Sequence, residues 1–355
     1  MKIIHTSDIH IDSPLTARLA RDKIKERRRE LLANLRRLAE ECKRVGAEAL
    51  IIAGDLFDSE SVTRRALRTF FDTVSDTPEV HFFVLPGNHD AELIASCGID
   101  APENLHIFEY GKATGFELSG VTFTGISPCY KGMLDALSLD EDKKNILVLH
   151  GELRDRTGDD GESIGTRELA NKNIDYVALG HYHTHSAREI DSRCTAVYSG
   201  TPEGRGFDEC GECGYVLIDT DGERVSHSFV KFGKRALRIV KLALDGMERP
   251  SEIADGADRL LSAVPRDDLV RLELCGSFMP GLWKDTASLV DRWKSRFYHF
   301  EVRDTSHISV NPEDYRYDTT LKGEFIRLVY ADESLDEETK RRVVECGVFA
   351  LMGEE

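Results

Sequence analysis

Short continuous apolar runs alternate with longer amphipathic stretches along the first two thirds of the chain. Residues 2–6, 49–53, 80–85, 105–108, 121–126, 146–149, 176–179 and 197–199 read as strands. They are rich in Val, Ile, Leu and Phe, and they lack the strict alternation of a half-exposed strand, so they fit strands buried on both faces. Residues 22–45 read as a helix, because Leu31, Leu35, Leu38, Cys42 and Val45 recur at spacings of three and four. Residues 64–74 form a second helical stretch. Two further strands, 214–219 and 224–231, flank the turn Thr220-Asp221-Gly222-Glu223, which is a hairpin signal. A chain that mixes βα units with an antiparallel portion predicts an α/β sandwich with helices on its outer faces.

After about residue 235 the pattern restarts. Strands over 238–244, 269–275 and 297–302 alternate with helices over 251–264 and 284–296, and a final helix covers 336–351. The expected organisation is therefore a domain over 1–235 followed by a smaller α+β domain over 236–355. No heptad pattern or internal repeat occurs, so a coiled-coil arm is not expected in this polypeptide.

The polar residues that follow these strands carry the chemistry. Asp8-Ile9-His10, Gly54-Asp55 with Asp58, Gly87-Asn88-His89-Asp90, His150-Gly151-Glu152 and Gly180-His181-Tyr182-His183 each come directly after an apolar run. That places all five at the carboxyl ends of strands, where open α/β sheets bind ligands. Two aspartates, one asparagine and four histidines make a donor set too hard for a thiolate site and too rich in imidazole for calcium or for magnesium alone. Manganese, iron or zinc is expected. Two such cations make a water nucleophilic near neutral pH and hold a phosphate for in-line attack, so the set predicts a two-metal hydrolase. His89, beside Asn88 and not needed as a ligand, is the candidate general acid for the leaving oxygen. Asp90 would orient or polarise it, and Asp58 is a further supporting carboxylate. One such cluster alone would be weak evidence, since an isolated histidine at a strand end is more often structural. Five in order, each of the right chemical kind, are not explained that way.

Composition bounds this reading without changing it. At 355 residues and 41% apolar content the chain can bury a full core. Its apolar runs fall far short of the roughly 20 residues of a membrane span, and no export signal opens it, so a cytoplasmic protein with no membrane association is expected. Eight scattered cysteines suit a reducing compartment. Among them Cys210 and Cys213 form a CxxC pair that lacks the other half of a zinc site, so core or loop thiols are the favoured reading. The net charge of −17 argues against a nucleic-acid partner at first sight. Between Arg18 and Arg44, however, eleven basic residues stand against five acids. Arg28 and Arg29 are candidates for contact with a phosphate backbone, with a solvated helix face as the alternative. Arg205, on the loop Glu203-Gly204-Arg205-Gly206-Phe207-Asp208, is a further candidate for holding a phosphate.

The ordered set Asp8-x-His10, Gly54-Asp55-x-x-Asp58, Gly87-Asn88-His89-Asp90, His150 and Gly180-His181-x-His183 resembles the signature of the calcineurin-like metallophosphoesterases. Within that superfamily, Ser7-Asp8-Ile9-His10-Ile11-Asp12-Ser13-Pro14 and Gly54-Asp55-Leu56-Phe57-Asp58 resemble the SbcD and YhaO branch of DNA repair nucleases. The resemblance implies a metallophosphoesterase β-sandwich flanked by helices, an αββα arrangement, with the C-terminal α+β unit as a capping domain that shapes access for DNA. It implies that Asp8, His10 and His183 bind one metal, that Asn88, His150 and His181 bind the other, and that Asp55 bridges both. It also implies manganese-dependent hydrolysis of DNA phosphodiesters, a homodimer, and an SbcC-like coiled-coil ATPase as partner. Two other readings stay open at this point. One is a phosphoesterase acting on a phosphoprotein or a small nucleotide; the other is a non-catalytic subunit that binds DNA ends or regulates a partner.

Overall fold

A strand with apolar residues on both faces must be covered twice, and the first unit does this by stacking two sheets. The computed structural model describes residues 1–15, 17, 19–57, 62–86, 90, 101–279, 282–308 and 310–352. The chain divides into two compact units, Met1–Leu237 and Arg238–Glu355. In chain order the first unit contains β1 (Lys2–Thr6), α1 (Arg21–Val45), β2 (Ala47–Ala53), α2 (Arg64–Ser75), β3 (His81–Leu85), β4 (Leu105–Ile107), β5 (Thr114–Leu118), β6 (Val121–Ile126) and β7 (Lys144–His150). It continues with β8 (Glu152–Arg154), β9 (Ser163–Gly165), α3 (Thr166–Leu169), β10 (Tyr176–Gly180), β11 (Ser186–Glu189), β12 (Thr195–Tyr198), β13 (Gly214–Asp219) and β14 (Ser226–Lys231). One six-stranded sheet has the order β14-β13-β1-β2-β3-β4, the other β11-β12-β10-β7-β6-β5, and β8 pairs with β9 apart from both. The α/β sandwich expected from the hydrophobic pattern is the fold that forms.

Register explains why the apolar runs are continuous. On β2, Ala49, Ile51 and Ala53 point between the sheets, where they join Phe83, Phe123, Val148 and Ala178. Leu50 and Ile52, one residue out of phase, face away and pack with Leu35, Leu38 and Cys42 of α1 and Phe70 and Val74 of α2. The Phe83 and Phe123 rings stack across the sandwich with centroids 4.0 Å apart. On the far side of the second sheet Leu147, Leu149, Val177 and Leu179 are covered by Ile164, Leu169 and Leu134. That outer layer is thin, with α3 contributing a single turn. The helix α1 ends where Gly46 adopts φ 71° and its N–H reaches the Cys42 carbonyl, the usual way a left-handed residue closes a helix. Strands β1, β2, β3 and β4 run parallel, as do β6, β7, β10 and β12. Parallel pairing brings the carboxyl ends of β1 and β2 to one rim, and those of β7 and β10 to another. Strands β13 and β14 are antiparallel, paired from Gly214↔Lys231 to Asp219↔Ser226, as are β1 with β13, β5 with β6 and β11 with β12.

The second unit has its own core. Strands β15 (Leu237–Ala243), β16 (Leu269–Cys275) and β18 (His299–Asp304) form a sheet, while β17 (Ser277–Phe278) pairs with β19 (His307–Ile308). Helices α4 (Pro250–Leu261), α5 (Thr286–Trp293), α6 (Leu321–Ala331) and α7 (Glu337–Met352) complete it. Leu242, Ile253, Val270, Leu272, Phe297, Ile326 and Val344 share one cluster. The final segment holds two helices where the sequence pattern suggested one. Helix α6 buries Ile326 and Val329 but exposes Leu321 and Leu328, so its apolar residues do not line one face. Thr320 caps it by accepting the Gly323 N–H at 3.3 Å. Among the described residues no helix is long and apolar enough to cross a membrane.

One buried group makes the sandwich sensitive to acid. His5 of β1 is fully buried between the sheets, with Nδ1 2.9 Å from the Tyr176 hydroxyl. Burial pushes its pKa from 6.5 down to about 3. The folded chain therefore keeps His5 neutral where the unfolded chain protonates it. Its contribution to stability is fully present above about pH 6.5 and is lost as pH falls toward 3. A His5→Gln variant should lose stability less steeply across that window, by up to about 1.4 kcal/mol per pH unit. Urea unfolding of both proteins at several pH values measures this, and parallel pH profiles would contradict it.

Candidate metal centre

Strain gathers where the strands end. Asp8, His10, Asp12, Asp55 and His181 all have positive φ, between 46° and 102°, a region that side chains other than glycine rarely occupy. The loops are held there by backbone pairing: the His10 N–H donates to the Asp55 carbonyl at 3.0 Å and the Ile11 N–H to the Leu56 carbonyl at 2.8 Å. Asp90 acts from the next crossover. Its buried carboxylate accepts the Leu56 N–H at 3.2 Å and the Phe57 N–H at 3.1 Å, so it ties down the loop that carries Asp55.

Asp8 is fully buried and connects the two sheets. Its carboxylate accepts the His181 backbone N–H, which follows β10 of the second sheet, at 3.0 and 3.2 Å, and the Ser7 hydroxyl. Ser7 meets Ser199 at 2.8 Å, and the Thr201 hydroxyl donates to the Asp8 carbonyl at 3.0 Å. Around Asp8 two groups of donor atoms converge, Asp8 with His10 and His183, and Asp8 with Asp55 and His150, each within 4.8 Å. His183 Nε2 stands 3.9 Å from Asp8, while His10 Nε2 and His150 Nε2 stand 3.7 and 3.6 Å from Asp55. These separations are too long for hydrogen bonds and suit donors that flank a shared cation. Both ring nitrogens of His10 are buried with no hydrogen-bond partner among the described residues. Burial lowers the pKa of His10. A buried, neutral imidazole without a partner beside two carboxylates is the donor set a divalent ion fits.

The histidines differ in what holds them. His150 donates from Nδ1 to the Ala53 carbonyl at 3.0 Å, which turns Nε2 toward Asp55. Two glycines make room for it. A Cβ on Gly54 would lie 2.2 Å from His150 Nδ1, and one on Gly180 would lie 1.9 Å from the Ala53 carbonyl oxygen. His183 Nδ1 instead meets the Glu209 carboxylate at 2.8 Å, and this hydrogen bond raises its pKa. Glu209 is buried, which raises its own pKa, but hydrogen bonds from His183 and Arg205 bring it down to about 2.

Not every expected residue joins the two groups. The ring of His181 stands 5.6 Å from that of His150 without entering either cluster. Asn88, His89 and Asp58 lie outside the described residues. Arg205 is beside the site, but its Nε and backbone N–H bond Glu209 at 2.9 and 2.6 Å, and its Nη1 bonds the Ser13 hydroxyl at 3.1 Å. Arg28 and Arg29 are exposed on α1. Part of the basic excess around them serves the fold: Arg27 and Arg37 pair with Glu203, Lys43 with Glu79 and Arg44 with Glu41. Cys210 and Cys213 form no disulfide among the described residues; the Cys210 thiol donates to the Phe207 carbonyl at 3.1 Å and Cys213 is buried. Glu209 was not visible in the sequence, where it is one acid among 64. Its position four residues after Arg205 was the only signal.

A family model described as calcineurin-like phosphoesterase matches residues 1–185. The chain is 26% identical over 248 residues to an uncharacterized metallophosphoesterase, YhaO, of Bacillus subtilis (strain 168), covering 64% of this chain and 60% of that protein. It is 25% identical over 290 residues to the DNA double-strand break repair protein Mre11 of Methanosarcina acetivorans, covering 78% of this chain and 46% of that one. The chain thus spans about half to three fifths of the length of these relatives. Among solved structures, TT1561 of Thermus thermophilus is similar at 17% identity with a TM-score of 0.43, covering 64% of this chain and 98% of that one.

A Gly54→Ala change tests how the site is built. Gly54 has φ 82° and touches His150, so the substitution should cost more than about 1 kcal/mol of stability in metal-free protein. Chemical denaturation in a chelator measures this. An unchanged midpoint would show that His150 is not seated by Gly54.

Proposed function

The chain belongs to the calcineurin-like phosphoesterase family, a family of hydrolases that bind divalent metals, and from this we propose that it is a manganese-dependent nuclease that hydrolyses DNA phosphodiesters. The observation that carries the proposal is the pair of donor groups sharing Asp8, with both ring nitrogens of His10 lacking a hydrogen-bond partner among the described residues. DNA as substrate is supported by the similarity to a protein named for DNA double-strand break repair and by the exposed Arg28 and Arg29 on α1.

In this proposal Asp8, His10 and His183 hold one ion, His150, His181 and Asn88 the other, and Asp55 serves both. When bound, two such ions supply a water acidic enough to attack near neutral pH and positive charge against the phosphate. The chain's own residues do the rest. Asp90 fixes the loop of Asp55 through the Leu56 and Phe57 N–H groups. His89, adjacent to Asn88 in sequence, donates the proton that the leaving oxygen needs, and Asp58 is a further supporting carboxylate. Arg28 and Arg29 take the phosphate backbone of the substrate. Arg205 contributes less to phosphate binding than its place suggests, because its donors already serve Glu209 and Ser13. The second unit is a capping domain that shapes access for DNA. The working assembly is a homodimer with an SbcC-like coiled-coil ATPase.

The test is hydrolysis of single- and double-stranded DNA, a phosphopeptide and a cyclic nucleotide, each with added Mn2+. DNA should be cleaved in preference to the other two, and Asp55→Ala should lower the rate by roughly a thousandfold, several kcal/mol of transition-state stabilisation. Unchanged cleavage by Asp55→Ala would refute the two-ion mechanism. Hydrolysis of the phosphopeptide or cyclic nucleotide alone would leave the mechanism and refute DNA as substrate.

A further inference from the structure

One histidine of each donor group is held in the same way except at one atom. In each, a histidine presents Nε2 to an aspartate while Nδ1 is held from behind. For His150 the holder is a neutral backbone carbonyl, that of Ala53 at 3.0 Å. For His183 it is the carboxylate of Glu209 at 2.8 Å. Glu209 is itself immobilised: its side chain is 1% exposed, and it accepts from the Arg205 backbone N–H at 2.6 Å and from Arg205 Nε at 2.9 Å. An ionised carboxylate can only accept hydrogen bonds, so Nδ1 of His183 carries a proton, and in the neutral ring, the form that can ligate, the lone pair is on Nε2. That lone pair faces Asp8, 3.9 Å away, with the His10 ring centred 5.3 Å from that of His183. A carboxylate behind an imidazole also makes the ligating nitrogen more basic than a carbonyl does.

We propose that Glu209, clamped by Arg205, is a positioning residue that fixes His183 as an Nε2 ligand and makes the Asp8–His10–His183 site the tighter of the two ion sites. The inference rests on the reading of the two groups as ion sites given above. It assigns Arg205 a role through Glu209, and it makes the centre asymmetric by construction. The Ala53 carbonyl cannot be removed by mutation of a side chain, whereas Glu209 can, so one site is adjustable independently of the other.

Calorimetric titration of the full chain, stripped with a chelator and then given Mn2+ alone, tests this without reference to activity. Wild type should bind two ions in two resolved steps. Glu209→Gln keeps an acceptor for Nδ1 but removes the charge, and should weaken the tighter step roughly tenfold; Glu209→Ala removes both and should weaken it up to about a hundredfold. Arg205→Lys, which keeps the charge and the backbone N–H but loses the guanidinium hydrogen bond to Glu209, should weaken the same step by less. The weaker step should stay at its wild-type affinity in all three, which also reports that each variant is folded. Unchanged affinity of the tighter step, or equal weakening of both steps, would overturn the proposal and leave the two-ion reading standing. Wild type binding the two ions with equal affinity would likewise overturn the asymmetry. Wild type binding no Mn2+ would overturn the two-ion reading itself, and the inference with it.

Discussion

A fully buried carboxylate, that of Asp8, is the constraint on which the rest of this molecule is organised. It lies at the end of β1 in one sheet and accepts the N–H of His181 at the end of β10 in the other. The rims of the two sheets are thereby held to each other at a single anion. Two neutral donors, the Ser7 hydroxyl and the His181 N–H, solvate that charge only in part. Leaving a carboxylate buried on those terms is costly. The imidazole of His183 does not relieve it by a hydrogen bond, since its Nε2 stands 3.9 Å from the Asp8 oxygen. Positive φ at Asp8, His10, Asp55 and His181 adds backbone strain at the same spot. Such an arrangement is at ease only with positive charge between the carboxylates. The sandwich core supplies the stability that allows it.

Much of this is legible in the sequence, and the reason is physical. Strands buried on both faces leave uninterrupted apolar runs, so β2, β7 and β10 stood out, and the polar residues after them fell where parallel strands end. Polar or short elements were not legible. Strand β5 (Thr114–Leu118) is a sheet edge with no fully buried residue, β11 (Ser186–Glu189) is exposed throughout, and α6 carries apolar residues on more than one side. Sequence spacing also gave no hint of how each histidine is oriented. That depends on what stands behind the ring, a carbonyl for His150 and a carboxylate for His183, and Glu209 is an ordinary loop acid until the loop is folded. The parts assigned to Asn88, His89 and Asp58 rest on sequence alone.

Charge shows the same separation between composition and placement. The net −17 suggested a surface hostile to DNA. In the fold, acids such as Glu203, Glu209 and Asp8 are buried and spent on internal partners. So are several of the bases: Arg27 and Arg235 both reach Glu30, whose pKa is brought down to about 2 by these bonds and by Lys234 in spite of its burial. What is left for a substrate is set by exposed residues such as Arg28 and Arg29, and the sum over the chain does not measure it.

In the proposed assignment both ion sites depend on Asp8: it is a ligand of one, and by accepting the His181 N–H it fixes the loop that carries a ligand of the other. The most direct test is the number of Mn2+ ions retained per chain after equilibrium dialysis, measured by elemental analysis for wild type and Asp8→Ala. The account predicts two for wild type and none for the variant at the concentration that fills wild type. Retention of two ions by Asp8→Ala, or of none by wild type, would contradict it.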